Sequence, residues 1–215
     1  MNRTEQPRTD RDVDLSELPA ALPAGSSVLV AKPDSLTEHA LSLRISSRYA
    51  DSDDARLVLT TAVDADRTIE QHQAIVADSS AGRLGVVDAS EGYQPSAPFQ
   101  ECPTVSLPNP SELTRIVLAL QQLESTLSAQ TPTIDVVVRS LSPMLAGSRL
   151  EQVVRVVDQL VDRQRSTGGV AVFGLEYTRH DDRTMRELQE LVDAVVWVEE
   201  TADELRLDVQ WARAR

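Results

Sequence analysis

The chain has 215 residues, 41% of them hydrophobic, with 34 acidic against 21 basic residues for a net charge of −13. That length favours one domain with a core large enough to fold without metals or disulfides. A single cysteine, Cys102, excludes an intrachain disulfide framework and any multi-cysteine zinc site. The acidic balance argues against a nucleic-acid binder, which needs clustered positive charge. No apolar run approaches the roughly 20 residues of a membrane span, and the first residues lack the apolar core of a secretory signal. A cytoplasmic protein is expected, with no nucleic-acid or membrane partner.

Among the basic residues Lys32 alone is lysine; the rest are arginine. Acid-rich, lysine-poor composition resembles the proteins of salt-in halophiles, whose carboxylate surfaces keep them soluble. A GC-rich genome explains the arginine preference equally well, though not the excess of acids.

In chain order, residues 1–20 are polar and aperiodic and read as a flexible tail, leaving 21–215 as the domain. Ser27 to Ala31 is a short apolar run suited to a buried strand, and Ser35 to Tyr49 has helical spacing. Arg56 to Thr61 predicts a second strand, Arg67 to Val76 a short helix and Gly82 to Asp88 a third strand. Residues 92–110 hold five prolines and read as a long connection. Ser111 to Ser128 is an amphipathic helix, with Asn109 as a cap and Pro110 in its first turn. Thr133 to Val138 predicts a strand and Arg149 to Arg165 a helix closed by Gly168-Gly169. Val170 to Leu175 is a strand, and Asp182 to Val192 a helix. Ala194 to Glu199 and Leu205 to Trp211 form a hairpin around Thr201-Ala202-Asp203. The alternation predicts an α/β domain of three layers: a mostly parallel sheet, helices on both faces, and a C-terminal antiparallel hairpin.

In such folds ligands sit at the carboxyl ends of the strands, so the segment from Ala31 to Ser35 is the place to seek a site. Pro23-Ala24-Gly25-Ser26-Ser27-Val28-Leu29-Val30 resembles the approach to the phosphate-binding loop of the RecA/KaiC-like ATPases, especially the KaiC-like proteins of haloarchaea. Val86-Val87-Asp88-Ala89-Ser90-Glu91 resembles their "LDAS" strand. Val136-Val137-Val138-Arg139-Ser140-Leu141-Ser142 resembles the "VIDSLS" strand with its Mg²⁺-associated aspartate, and Gly169-Val170-Ala171-Val172-Phe173 resembles "GVTVL". The resemblance spans about residues 20–215 and implies a RecA-like fold.

The departures from that family bear on function. A Walker A loop, G-x-x-x-x-G-K-[ST], needs glycines to cradle phosphate, a lysine for the β/γ oxygens and a hydroxyl for Mg²⁺. Here Ala31 and Leu36 stand at the glycines, Thr37 at the lysine and Glu38 at the hydroxyl. Ser35 to Glu38 reads instead as a capping box, and Asp34 and Glu38 add negative charge where a triphosphate would enter. Lys32 lies before the turn, at the strand end, where it could serve only as a displaced phosphate lysine. The family's water-activating glutamates fall at Thr60 and Thr61, and its metal aspartate at Arg139. Of the family's closing Lys-x-Arg pair, Trp211-Ala212-Arg213 keeps at most the arginine.

The other candidate residues read as structure. Ser140 and Ser142 have no histidine nearby in sequence and no G-x-S-x-G elbow. His180-Asp181-Asp182 reads as a loop and helix cap, Asp88 with Glu91 as a structural turn, and Arg139 as a potential partner for Asp88. Cys102 is a lone thiol. The expectation is a non-hydrolysing pseudo-ATPase, a regulatory or protein-interaction module with no cofactor and no metal. An NTP-binding switch or weak ATPase with an atypical loop is the alternative. The hairpin edge is the expected site of a protein partner or of self-association.

Overall fold

The structure, a computed structural model, describes residues 15–37, 39–51, 53–76, 83–92, 102–129, 131, 133–201 and 204–212. Strand β1 is Ser27–Lys32, β2 Ala55–Thr60, β3 Leu84–Asp88, β4 Thr104–Ser106, β5 Ile134–Val138, β6 Ala171–Glu176, β7 Ala194–Glu200 and β8 Leu205–Trp211. Helix α1 is Leu41–Tyr49, α2 Ala65–Ile75, α3 Leu113–Ser128, α4 Ser142–Gly147, α5 Leu150–Thr167 and α6 Asp182–Gln189. One sheet runs in the order β4-β3-β2-β5-β6-β1-β7-β8. Every pairing is parallel except β7 with β8, so the chain is a three-layer α/β domain closed by an antiparallel hairpin.

The inner strands read as unbroken apolar runs because both their faces are covered. Leu29, Leu57, Leu59, Val136, Val138, Ala171 and Phe173 face the layer of α3, α5 and α6. Their neighbours Val28, Val30, Val58, Val137 and Val172 face the layer of α1 and α2. Every residue of β1, β2, β3, β5 and β6 is buried.

Four local expectations need correction. The tail does not extend to residue 20: Leu18 is buried in the core beneath β7 and β8, and Tyr49 Oη donates to the carbonyl of Pro19 at 3.0 Å. Residues 1–14 lie outside the described residues. Helix α1 begins at Leu41 rather than Ser35, after a separate 3-10 turn over Asp34–Leu36. The long connection contains edge strand β4, too short for periodicity to show, and α4 follows β5 unannounced. Asn109 does not cap α3, which begins four residues later; its Oδ1 instead accepts from the N–H (3.0 Å) and hydroxyl (2.5 Å) of Ser111. Two expected helix ends hold. Gly168 closes α5 at φ +85°, a left-handed conformation that costs glycine little, and Asp181 caps α6 by accepting from Thr184 N–H at 2.8 Å.

A buried polar cluster sits at the amino ends of β2 and β5. Arg56 Nη1 lies 2.6 Å from His72 Nε2. A guanidinium can only donate, so Nε2 must accept and the ring must be neutral. Burial, with the Arg56 charge adding to it, accordingly lowers the His72 pKa from 6.5 to about 4. Asp135 Oδ1 accepts from Val170 N–H at 2.8 Å, yet burial raises its pKa from 3.8 to about 6.

These two groups act oppositely on stability. His72 contributes stability that is full above pH 6.5 and lost as pH falls towards 4. Asp135 contributes stability that is full below pH 3.8 and lost as pH rises through about 6. Asp135→Asn, which keeps an acceptor for Val170, should therefore uncover the His72 effect. Urea denaturation at a series of pH values should show the variant's stability falling more steeply between pH 6.5 and 4 than the wild type's; parallel profiles would contradict this assignment.

Candidate functional site

The carboxyl ends of β1, β5 and β6 lie side by side, because β6 pairs with both of the others in parallel. Each strand delivers a polar residue there. Lys32 ends β1, Glu176 ends β6, and Arg139-Ser140 follows β5. Close approach of the backbones requires Gly174, since a Cβ at that position would stand 2.1 Å from the carbonyl oxygen of Arg139.

Lys32 is 1% exposed and turned into the protein. Its Nζ donates to the carbonyls of Leu36 (3.1 Å) and Thr37 (3.3 Å) and lies 3.4 Å from Glu176 Oε1. Glu176 is equally buried, and its Oε2 accepts a short hydrogen bond from Ser140 Oγ. Ser140 Oγ also accepts from Ser142 N–H at 3.2 Å, and its carbonyl accepts from Thr61 Oγ1 at 2.6 Å. One connected set of polar groups thus joins the ends of β1, β2, β5 and β6.

Three N–H groups of the turn after Lys32 are spent within the protein. Asp34 N–H donates to Thr178 Oγ1 at 3.2 Å, Leu36 N–H to Pro33 O and Thr37 N–H to Asp34 O, both at 3.1 Å. Phosphate binding at such a turn requires those N–H groups to point together at the anion. Leu36 belongs to the hydrophobic core, and Ala31 is wholly buried in β1. Thr37 Oγ1 donates back to the Asp34 carbonyl at 2.8 Å. The exposed carboxylate of Asp34 lies 3.5 Å from Arg179 Nη1, tying this turn to the segment after β6.

Ser35 does not stand at the N-cap of α1. That residue lies inside the 3-10 turn, and its Oγ donates to Glu200 Oε2 at 2.8 Å, on the far side of β1. Helix α1 starts six residues beyond it, after Ala40, with no side-chain cap. Glu38 lies outside the described residues.

Thr60 and Thr61 are both buried; Thr60 Oγ1 donates to the carbonyl of Val63. Arg139 is 5% exposed, and its Nη1 donates to Thr68 Oγ1 on α2 at 2.5 Å. The carboxylate of Asp88 is devoted to local structure: Oδ2 accepts from Ala65 N–H at 2.6 Å, at the start of α2. Oδ1 accepts from the N–H (2.7 Å) and hydroxyl (2.6 Å) of Ser90. Burial nevertheless holds its pKa above the usual carboxylate value.

One relation was invisible in the sequence. Ser142 does have a histidine beside it, for His180 Nε2 lies 2.8 Å from its Oγ. The short helix α4 folds back against the segment after β6, which brings residues 38 positions apart together. Ser142 Oγ also accepts from Glu176 N–H at 3.1 Å, so its own proton goes to His180. Burial lowers the His180 pKa, consistent with a neutral ring as acceptor. With Ser142 buried, this pair joins α4 to the segment after β6.

Beside the joint is an open cleft of 570 Å³ lined by Thr61, Ser90, Glu91, Asn109, Ser111 and Arg179 among others. Its described carboxylate, Glu91, is single, and among the described residues no three His, Cys, Asp or Glu side chains are placed to hold a metal. Cys102 is buried, with Sγ 3.4 Å from the Leu84 carbonyl, and burial raises its pKa to about 11. Among the described residues no helix is long and apolar enough to cross a membrane.

The model of a family of unknown function, DUF7504, matches residues 25–198, from just before β1 to within β7. No curated protein matches the chain.

Removing one member of a buried ion pair leaves the other charge stranded, at a cost of about 3–5 kcal/mol. Lys32→Met and Glu176→Gln should each destabilise the protein on that scale, and the double variant should lose less than the two losses summed. A double-mutant cycle measured by chemical denaturation should give a coupling above about 1 kcal/mol; additive losses would show that the two side chains do not act as a pair.

Proposed function

The chain belongs to the family DUF7504, and we propose that it is a RecA/KaiC-like pseudo-ATPase, a non-hydrolysing module that works through protein contacts. One observation carries this reading. The only lysine of the chain, at the strand end where a phosphate loop would begin, is buried against Glu176 and against the carbonyls of its own turn. A lysine that served phosphate would need to extend towards solvent, and the N–H groups around it would need to be unspent.

Two further positions support the reading. Arg139 places a cation where Mg²⁺ would need an anion, and Thr60 and Thr61 supply no carboxylate to activate water. Electrostatic stabilisation of a transferring phosphoryl group comes from a lysine, a metal and oriented donors acting together. Each is replaced here by an internal contact. The module is then left with its surfaces, and the acidic composition fits a cytoplasmic, halophilic setting.

Purified protein incubated with ATP and Mg²⁺ in high salt should release no phosphate above a blank. Ordinary enzymes turn over about 1–10³ times per second, so a threshold of about 0.01 s⁻¹ is a stringent test. Turnover above that threshold, abolished in a Lys32→Arg variant that remains folded, would establish the weak-ATPase alternative instead.

A further inference from the structure

Among the described residues strand β8 is an edge of the sheet. It pairs with β7 on one side, in a register running from Ala194 opposite Trp211 to Glu200 opposite Leu205. The bonds Ala212 N–H to Asp193 O and Thr201 N–H to Glu204 O, both 2.9 Å, place the even-numbered residues of β8 in the hydrogen-bonded pairs. In an antiparallel pair the alternate residues then turn their N–H and C=O away from the partner. Leu205, Leu207, Val209 and Trp211 therefore present backbone groups outward. Leu207 shows the direction directly, for its N–H donates to Glu17 Oε2 at 3.1 Å.

Unpaired edges invite another strand, and proteins usually protect them by shortness, proline or a cover. The opposite edge, β4, is only 3 residues long. β8 has 7 residues and no proline, and among the described residues the contact to its outward N–H groups is the side chain of exposed Glu17. One face of β8 is closed by Leu18 and Leu22 packing near Leu205, Leu207 and Val209. The other carries Arg206, Asp208 and Gln210 into solvent.

We propose that β8 is the interface between two copies of this chain, which pair antiparallel about Leu207 and continue the sheet across a two-fold axis. Such an axis makes the contact self-complementary, so each register sets a residue against its own symmetry mate or against a defined neighbour. Centring on Arg206 opposes two arginines, and centring on Asp208 opposes two aspartates. Centring on Leu207 sets Arg206 of each copy opposite Asp208 of the other, twice. It also sets Leu205 opposite Val209 and brings outward backbone groups against outward backbone groups throughout. Opposite charges directly across a strand pair stabilise it, and like charges do the reverse. Glu17 guards the central N–H and must swing aside; being exposed, it can. This names the partner in the interaction-module reading and rests on that reading for its biological sense alone. Phosphate release and oligomeric mass are separate readouts, so either can fail without the other. The family match ends at residue 198, before β8.

Sedimentation equilibrium of the full chain should show the mass rising with concentration from 23.6 kDa towards twice that value. Arg206→Asp and Asp208→Arg each turn both ion pairs into repulsions and should weaken the dimer by at least about tenfold. An equimolar mixture of the two variants restores opposite charges in both positions and should recover the wild-type mass. Glu17→Ala should tighten the dimer. The proposal is overturned if the wild type stays at 23.6 kDa at every concentration, if the single variants dimerise as the wild type does, or if the mixture stays monomeric.

Discussion

The buried contact between Lys32 and Glu176 fixes what the carboxyl end of this sheet can be. Two charges taken out of water are expensive unless each is fully partnered, and a pair broken at one end is worse than no pair at all. The surrounding turns are accordingly arranged to complete it. Leu36 and Thr37 bring their carbonyls to the ammonium, and Ser140 brings its hydroxyl to the carboxylate. The turn that holds those carbonyls must fold as a compact 3-10 element, which delays α1 to Leu41. The packing of the strand ends and the shape of the loop both accommodate this one ion pair.

From that pair the polar contacts extend outward without a break. Ser140 leads to Thr61 through its carbonyl and to Ser142 through its hydroxyl, and Ser142 leads to His180. In a low-dielectric interior a connected network of this kind rigidifies its members. The groups that would have to reorganise around a triphosphate are therefore already committed to one another. This is the physical basis of the proposed pseudo-ATPase reading.

Much of the architecture was legible in the sequence because the inner strands are apolar on both faces. Runs such as Val28-Leu29-Val30 and Val136-Val137-Val138 exclude a half-exposed sheet, and the helices between them show clear periodicity. The hidden parts are those governed by distant contacts. Strand β4 has 3 residues and α4 has 6, too few for a periodic signal. Ser35 looked like a helix cap because Glu38 follows at the right spacing, but nothing local reveals that Glu200 competes for its hydroxyl at 2.8 Å. In the candidate site, the absence of a glycine loop was readable from Ala31 and Leu36. That Lys32 would turn inward to Glu176, 144 positions away in sequence, was not. Nor was the meeting of Ser142 with His180, which depends on how two short segments fold over the sheet end.

The account stands on the claim that the phosphate position is filled by the protein itself. Equilibrium binding of ATP with Mg²⁺ to the full-length chain, followed by isothermal titration calorimetry, tests this most directly. The account predicts no saturable heat up to about 1 mM nucleotide, corresponding to binding weaker than about −4 kcal/mol. Saturable one-to-one binding tighter than that, lost when Mg²⁺ is withdrawn, would contradict it.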